Sequence, residues 1–258
     1  MLKEKIKNKE KTVGMHINLN DVAVSRIAGL AGYDFIWIDM EHSYLSLENL
    51  MSHIIAIQAT GTAVIVRVPQ DDLTYTKKVI EMGVDGIIFP MVNTAEEARK
   101  CVALCQYPPK GIRGFGPLRG LDYGTKNLDD YIAEVDDSMI KLMQCEHIES
   151  VRNLDEILEV PGVDGIICGP MDLSASIGKM GKLDDPEVVE LMQTIIDKCK
   201  AHNKPFGLSF GLLNKDVMDL WVGQGASFYS LGTPQDYFRE MGKDVIKTVR
   251  EAEAARTV

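Results

Sequence analysis

Short apolar runs recur along the chain, and stretches with a helical spacing of apolar and polar positions separate most of them. The runs lie near residues 12–17, 34–39, 63–68, 85–89, 139–145, 163–168, 205–209 and 226–231, which predicts eight strands. Helical patterns run from Asp72 to Met82, Thr94 to Cys105, Pro186 to Ala201 and Lys215 to Gly223. One junction repeats: Ala31-Gly32-Tyr33-Asp34 leads into Phe35-Ile36-Trp37-Ile38, and Met82-Gly83-Val84-Asp85 leads into Gly86-Ile87-Ile88-Phe89. It returns in Gly162-Val163-Asp164-Gly165 and more loosely in Gln224-Gly225-Ala226-Ser227. In each case a helix stops at glycine, where a left-handed residue is cheap, and a strand starts within two residues. That is the βαβ rhythm of a parallel sheet.

Eight such units in a chain of 258 residues predict a (β/α)8 TIM barrel. No Gly/Ser linker or shift in composition divides residues 1–258, so one barrel domain is expected. A last long, charged helical pattern, Thr233 to Arg256, either closes the barrel or docks on a neighbour.

An apolar content of 45% supports a full core, and a net charge of −10 disfavours nucleic acid and anionic membrane as partners. It leaves anionic substrates open, because a bound cation and a few arginines reverse the field locally. No run approaches a membrane span, and the first residues, Met1 to Lys7, lack the apolar centre of a signal peptide. Five cysteines without a CxxC pair fit a reduced, cytoplasmic setting.

Chemistry in a barrel collects where strands end. Those ends read Asp39-Met40-Glu41-His42, Arg67, Pro90, Gln144 with Glu146, and Asp172 with Ser174. Glu146 and Asp172 follow successive strands, which would set two carboxylates side by side for a hard divalent cation. Each is also explained as a helix cap, since carboxylates favour helix N-termini. His42, next to two acids, is either a general base or a surface histidine at a helix start. Arg67 lies inside an apolar strand and needs an anion there: a salt bridge to Asp39 or Glu81, or a substrate carboxylate held bidentately. Residues 106–125 are too rich in Gly and Pro for a helix, and Arg113 and Arg119 make them a candidate anion-contacting lid or a plain surface loop.

The same residues carry a family resemblance over nearly the whole chain. Gly32-Tyr33-Asp34 through Asp39-Met40-Glu41-His42, Val66-Arg67-Val68-Pro69, Phe89-Pro90-Met91-Val92, Tyr107-Pro108-Pro109-Lys110-Gly111-Ile112-Arg113-Gly114, Gln144-Cys145-Glu146 and Gly162 through Ser174 resemble the class II, metal-dependent pyruvate aldolases. The resemblance implies Mg²⁺, Mn²⁺ or Co²⁺ held by Glu146 and Asp172, Arg67 on the 2-oxo acid, and His42 as acid/base supported by Asp39. Gln144, Gly169, Asp172, Ser174 and Arg113 are expected to contact the substrate. A homo-oligomer, often a hexamer, with exchanged C-terminal helices is also implied. Two positions depart from the family pattern: His147 replaces a threonine after Glu146, and Glu81 stands where an aspartate orienting the histidine is expected.

The expected reaction is reversible retro-aldol cleavage of a 4-hydroxy-2-oxo acid to pyruvate and an aldehyde. An imine route needs a lysine at the mouth, and Lys141 lies near the start of its strand. Rival readings are a citrate-lyase-like or malyl-CoA-lyase-like enzyme, a decarboxylase or hydrolase of oxaloacetate-like acids, and a non-catalytic barrel that binds a 2-oxo acid.

Overall fold

The structure, a computed structural model, describes residues 1–69, 72–211 and 224–256. Eight parallel strands close into a barrel in chain order. They are β1 (Thr12–Ile17), β2 (Phe35–Asp39), β3 (Ala63–Arg67), β4 (Gly86–Phe89), β5 (Ile140–Cys145), β6 (Gly165–Cys168), β7 (Phe206–Phe210) and β8 (Phe228–Leu231). β8 returns to β1, with Thr12 opposite Phe228 and Gly14 opposite Ser230. Each strand lies where the apolar runs predict it, with ends shifted by no more than one or two residues.

The described helices are α1 (Leu2–Lys7), α2 (Val22–Leu30), α3 (Leu47–Gln58), α4 (Leu73–Glu81), α5 (Ala95–Cys105) and α6 (Leu128–Ser138). They continue with α7 (Ile148–Arg152), α8 (Leu154–Glu159), α9 (Pro170–Ser176), α10 (Pro186–Ala201) and α11 (Pro234–Ala254). The helix expected from Lys215 to Gly223 lies outside the described residues. Local chemistry sets the starts: Asp72 caps α4 through the Tyr75 N–H, and Thr94 and Glu97 form a capping box on α5. Gly32 and Gly83 end α2 and α4 with φ of 93° and 73°, the left-handed region foreseen at the repeated junction.

Alternation along each strand sorts the core in two. Outward residues such as Ile36 and Ile38 meet the helices, while Phe35, Trp37, Ile65, Ile88, Leu142, Ile167 and Phe228 fill the barrel. Small residues make room for the large rings. A Cβ at Gly14 would lie 2.4 Å from the Phe35 ring, and one at Gly207 2.0 Å from that of Phe228. Leu2 and Ile6 of α1 join this interior cluster and stopper the end where the strands begin. There Lys3 and Lys141 flank Asp164 at 3.2 and 3.7 Å, so Lys141 belongs to the barrel floor, far from the strand ends. α11 buries only Pro234 and exposes Phe238, Met241, Val245, Ile246 and Val249 at helical spacing.

Candidate active site

At the C-terminal ends of the strands the inward positions turn polar. Asp39 ends β2 and Arg67 ends β3, and the two are register partners. Arg67 Nε donates to Asp39 Oδ1 at 3.0 Å and Nη2 to Oδ2 at 2.6 Å, a two-pronged ion pair in a buried setting. Burial alone would push the Asp39 carboxyl up, but the Arg67 hydrogen bonds and charge outweigh it and hold it below the usual range. Asp39 Oδ1 also accepts the backbone N–H groups of Glu41 and His42 at 3.0 and 3.3 Å. The salt bridge to Asp39 that the sequence left open is therefore present, and the one to Glu81 is absent. The ion pair uses one edge of the guanidinium. Nη1 lies 3.0 Å from Glu41 Oε2 and donates to Gln144 Oε1 at 3.5 Å.

Gln144 then links Arg67 to Glu146, its Nε2 donating to Glu146 Oε2 in a short contact. Glu146 Oε1 accepts the Met91 N–H at 2.8 Å, presented by a residue held at φ 52°, a left-handed conformation uncommon outside glycine. Glu146 is 3% exposed. Burial pushes its carboxyl up to about 7; the Met91 N–H opposes this, and the charges of Glu41 and Asp172 add to it. Asp172 stands in the first turn of α9, exposed to the mouth. Gly169, which caps α9, lets this cluster close up: a Cβ there would lie 2.8 Å from Glu146 Oε2 and 3.0 Å from Gln144 Nε2.

Glu41, read from the sequence only as one of two acids beside His42, has a place of its own in the site. It is largely buried, and burial with the charges of Asp39 and Asp172 raises its carboxyl against the pull of Arg67 and His42. Its Oε2 lies 3.6 Å from His42 Nε2. The contact between Asp39 and His42 runs through the His42 backbone N–H, and the imidazole, 68% exposed, has Glu41 beside it. The Asp-x-Glu-His spacing carries the signal, because a tight turn after a strand brings both acids back to the site. His16 was missed. It faces the barrel interior from β1, where its Nε2 and Nδ1 meet the hydroxyls of Ser209 and Ser230 at 3.2 and 3.1 Å.

Other expected site residues do not join this cluster within the chain. Arg113 gives Nε and Nη2 to Glu81 Oε1 at 3.3 and 2.9 Å, and Arg119 Nη1 donates to the Met82 carbonyl at 2.6 Å. Glu81 and Met82 end α4, which runs back from the mouth, so these contacts lie at the floor. The lid reading of residues 106–125 is corrected accordingly: this loop packs on the returning end of α4. A cavity of about 380 Å³ adjoins it, lined by Arg113, Asp85, Asp130, Tyr131 and Glu134. Ser174 is wholly buried, donating to the Met171 carbonyl at 2.7 Å and accepting the Gly181 N–H at 3.0 Å, which ties α9 to the following turn rather than to a substrate. His147 caps α7, its Nδ1 accepting the Glu149 N–H at 3.1 Å, so the departure after Glu146 has a local structural use.

Do these residues fit a divalent ion? Among the described residues no three His, Cys, Asp or Glu side chains converge as a complete ligand set. Two carboxylates plus oxygens from water and substrate are nonetheless what a hard ion takes at a catalytic site. Burial first, and then the neighbouring carboxylates, raise Glu41 and Glu146 despite the Arg67 guanidinium, which is already shared with Asp39. The donor chemistry fits. Beside Glu41 opens a cavity of about 510 Å³, lined by Pro69, Asp72, Thr74, Tyr75 and Lys78.

The family described as HpcH/HpaI aldolase/citrate lyase matches residues 12–240. The chain is 33% identical over 230 residues to a 2-keto-3-deoxy-L-rhamnonate aldolase of Escherichia coli (strain K12), covering 89% of this chain and 85% of that protein. It superposes on the crystal structure of an HpcH/HpaI aldolase from Desulfitobacterium hafniense DCB-2 with a TM-score of 0.90, at 28% identity and with 97% of each chain covered. The citrate synthase SbnG is similar at a TM-score of 0.85 and 28% identity over 98% of each chain.

Proposed function

This chain belongs to the HpcH/HpaI aldolase/citrate lyase family, and from that premise we propose how its barrel mouth works. The protein is a metal-dependent aldolase, a carbon–carbon lyase that cleaves a 4-hydroxy-2-oxo acid reversibly to pyruvate and an aldehyde. The likeness to a sugar-acid aldolase along most of the chain supports this over a citrate-lyase-like reaction.

The observation that carries the site assignment is the chain of contacts from Asp39 through Arg67 and Gln144 to Glu146, lying within an excess of carboxylates. Glu146 and Asp172 would hold Mg²⁺, Mn²⁺ or Co²⁺, which when bound supplies Lewis-acid polarisation of the 2-oxo group. Asp39 fixes one edge of Arg67 while Glu41 and Gln144 hold Nη1, so the guanidinium is set beside the pyruvate half, where negative charge grows as the bond between C3 and C4 breaks. Gln144 holds Arg67 and Glu146 in register. His42, with Glu41 beside it, accepts the proton of the C4 hydroxyl. In the reverse direction it returns that proton to the new alkoxide.

A cytoplasmic setting is part of this reading, supported by five free, buried cysteines. Among the described residues no helix is long and apolar enough to cross a membrane. So is a homo-oligomer, hexameric as the resemblance implies, with α11 as the exchanged element; the apolar face of that helix supports it.

The test is a coupled pyruvate-release assay across 4-hydroxy-2-oxo acids, with chelator and with each ion restored. Chelation should abolish release and the right ion should recover it. Undiminished turnover after exhaustive chelation, or borohydride trapping of a lysine–pyruvate adduct, would sink the mechanism.

A further inference from the structure

Among the described residues, Lys9, Met91, Asp122, Tyr123 and Asn203 are the non-glycine residues at positive φ. Lys9 and Asn203 follow the ends of α1 and α10, where a left-handed residue closes a helix. Asp122 and Tyr123 belong to an exposed stretch of the loop before α6. Met91, at 52°, does neither. It lies in the turn between β4 and α5, just past a strand end at the mouth, and its N–H meets the buried Glu146 carboxylate at 2.8 Å.

A turn alone would not need a methionine, because glycine reaches the same backbone conformation without a Cβ penalty. A side-chain-bearing residue persists there where its surroundings over-determine it. Here they do. The Ser150 hydroxyl, buried in α7, donates to the Val92 carbonyl at 2.7 Å, and Asn153 Nδ2 donates to the Asn93 carbonyl at 2.9 Å. On the other side, Glu97 Oε2 accepts the N–H groups of Asn93 and Thr94 at 2.7 and 3.0 Å. Ser150 and Asn153 follow Glu146 closely in the chain, so the segment that carries the acid also holds the turn that meets it.

The Glu146 carboxylate is thereby held on both oxygens. Oε1 takes the Met91 N–H, Oε2 takes the Gln144 amide, and there is no room beside Oε2 for a Cβ on Gly169. Such charge-assisted bonds fix the plane of the carboxylate and leave each oxygen a further lone pair. Hydrogen bonds of this kind orient metal-binding carboxylates. We propose that Met91 is a positioning residue, whose left-handed backbone presets Glu146 for a divalent ion. The position supplies a backbone conformation rather than a side-chain contact, and this rests on the reading of Glu146 as a metal ligand above.

The test titrates Mn²⁺ into metal-free protein, with affinity read by calorimetry and a metal-free melting curve beside it. Met91→Ile keeps an apolar side chain of like size but is β-branched, and such residues avoid positive φ. It should weaken Mn²⁺ binding by about 10-fold, the lower end of what losing an orienting contact to a metal ligand costs. Melting should change little, because Met91 is half-exposed. Met91→Val repeats the test with less bulk. Met91→Gly discards the side chain but keeps the conformation and the N–H, and should bind Mn²⁺ within about 3-fold of wild type. Met91→Gly weakening the ion as much as Met91→Ile would make the side chain the contact and overturn the proposal. So would a folded β-branched variant with wild-type affinity, or a loss of affinity that only follows a loss of melting temperature. A wild type that takes up no Mn²⁺, or a folded Glu146→Gln protein that binds it as tightly, would overturn the metal site itself and the positioning role with it.

Discussion

Two buried arginines sit at opposite ends of this barrel, each against an acid. At the mouth, Arg67 spends Nε and Nη2 on the two oxygens of Asp39 and turns Nη1 towards Glu41 and Gln144. At the floor, Arg113 gives both nitrogens to the single oxygen Oε1 of Glu81, with the Tyr131 hydroxyl at 3.2 Å and the Tyr107 ring 4.4 Å from its Cζ. Their surroundings separate them. Arg67 lies among Asp39, Glu41, Glu146 and Asp172, more negative charge than it can balance, whereas Arg113 has one acid and two aromatic neighbours. Buried charge left unbalanced is unstable unless something else binds, which is the signature of a site. A balanced pair sealed by tyrosines is a fold contact, in keeping with the stabilising role of a barrel's N-terminal face.

Substitutions at the two ends should part accordingly. The largest effect is expected from His42→Ala, with kcat for cleavage falling by about 10²–10⁴, the usual range for losing a general base. His202, hydrogen-bonded through Nε2 to Asp155 at the end of α10, is the matched control at the floor, and His202→Ala should leave kcat within about 2-fold. Near-wild-type cleavage by His42→Ala would return His42 to the solvent-exposed surface and erase the contrast.

Arg67→Lys comes next. A lysine keeps the attraction to Asp39 but loses the planar fork, so a clamp should lose roughly 10- to 150-fold in kcat/KM. An ion pair alone would lose little. The comparison is made at equal thermal stability, and a folded Arg67→Lys enzyme with unchanged kcat/KM would refute the clamp.

At the floor the balance should reverse. Arg113→Met strands the Glu81 carboxylate and should lower unfolding free energy by about 2 kcal/mol, less than for a fully buried pair because Glu81 keeps some exposure. Urea melts give that figure, while kcat/KM of the folded variant should stay within about 3-fold. A large kinetic loss without loss of stability would mean that the floor arginine serves a site after all.

The smallest signal is a pH slope. The folded-state pKa of Glu146 is raised from 4.5 to about 7, so between those values the folded chain holds a proton that the unfolded chain releases. In metal-free protein this contribution is present below pH 4.5 and is lost as pH rises through 7. The stability difference between wild type and Glu146→Gln should therefore fall across that window and level off above it. A flat difference would show that burial and the neighbouring acids do not hold the Glu146 carboxyl up, and the mouth would then resemble the floor.

Much of this molecule is legible in order along the chain. Eight apolar runs, the glycine stops at Gly32 and Gly83, and caps such as Asp72 and Thr94 are local in their causes, since strand pleat and helix ends are settled by residues a few positions apart. Strand-end residues were legible for the same reason. Asp39, Arg67 and Gln144 share the inward phase of their strands, and Glu146 and Gly169 follow directly. The glycines opposite Phe35 and Phe228 were not read as packing partners, because that need arises only when neighbouring strands pair.

Residues on returning helices and connecting loops were decided by tertiary structure alone. Arg113 and Ser174 looked like substrate contacts because their neighbours in sequence follow a family pattern. Their partners, Glu81 and the Gly181 N–H, come from other segments and use the same polar groups. Glu41, read only as a neighbour of His42, and His16, given no role, went the other way once a turn and the closure of β8 onto β1 had placed them. The sequence by itself determined which residues stand at strand ends, since a two-residue period and a turn signal are short-range physics. Which end of the barrel a loop or helix terminus reaches, and which charges it meets there, depends on contacts between residues far apart in the chain, and only the closed barrel brings those together.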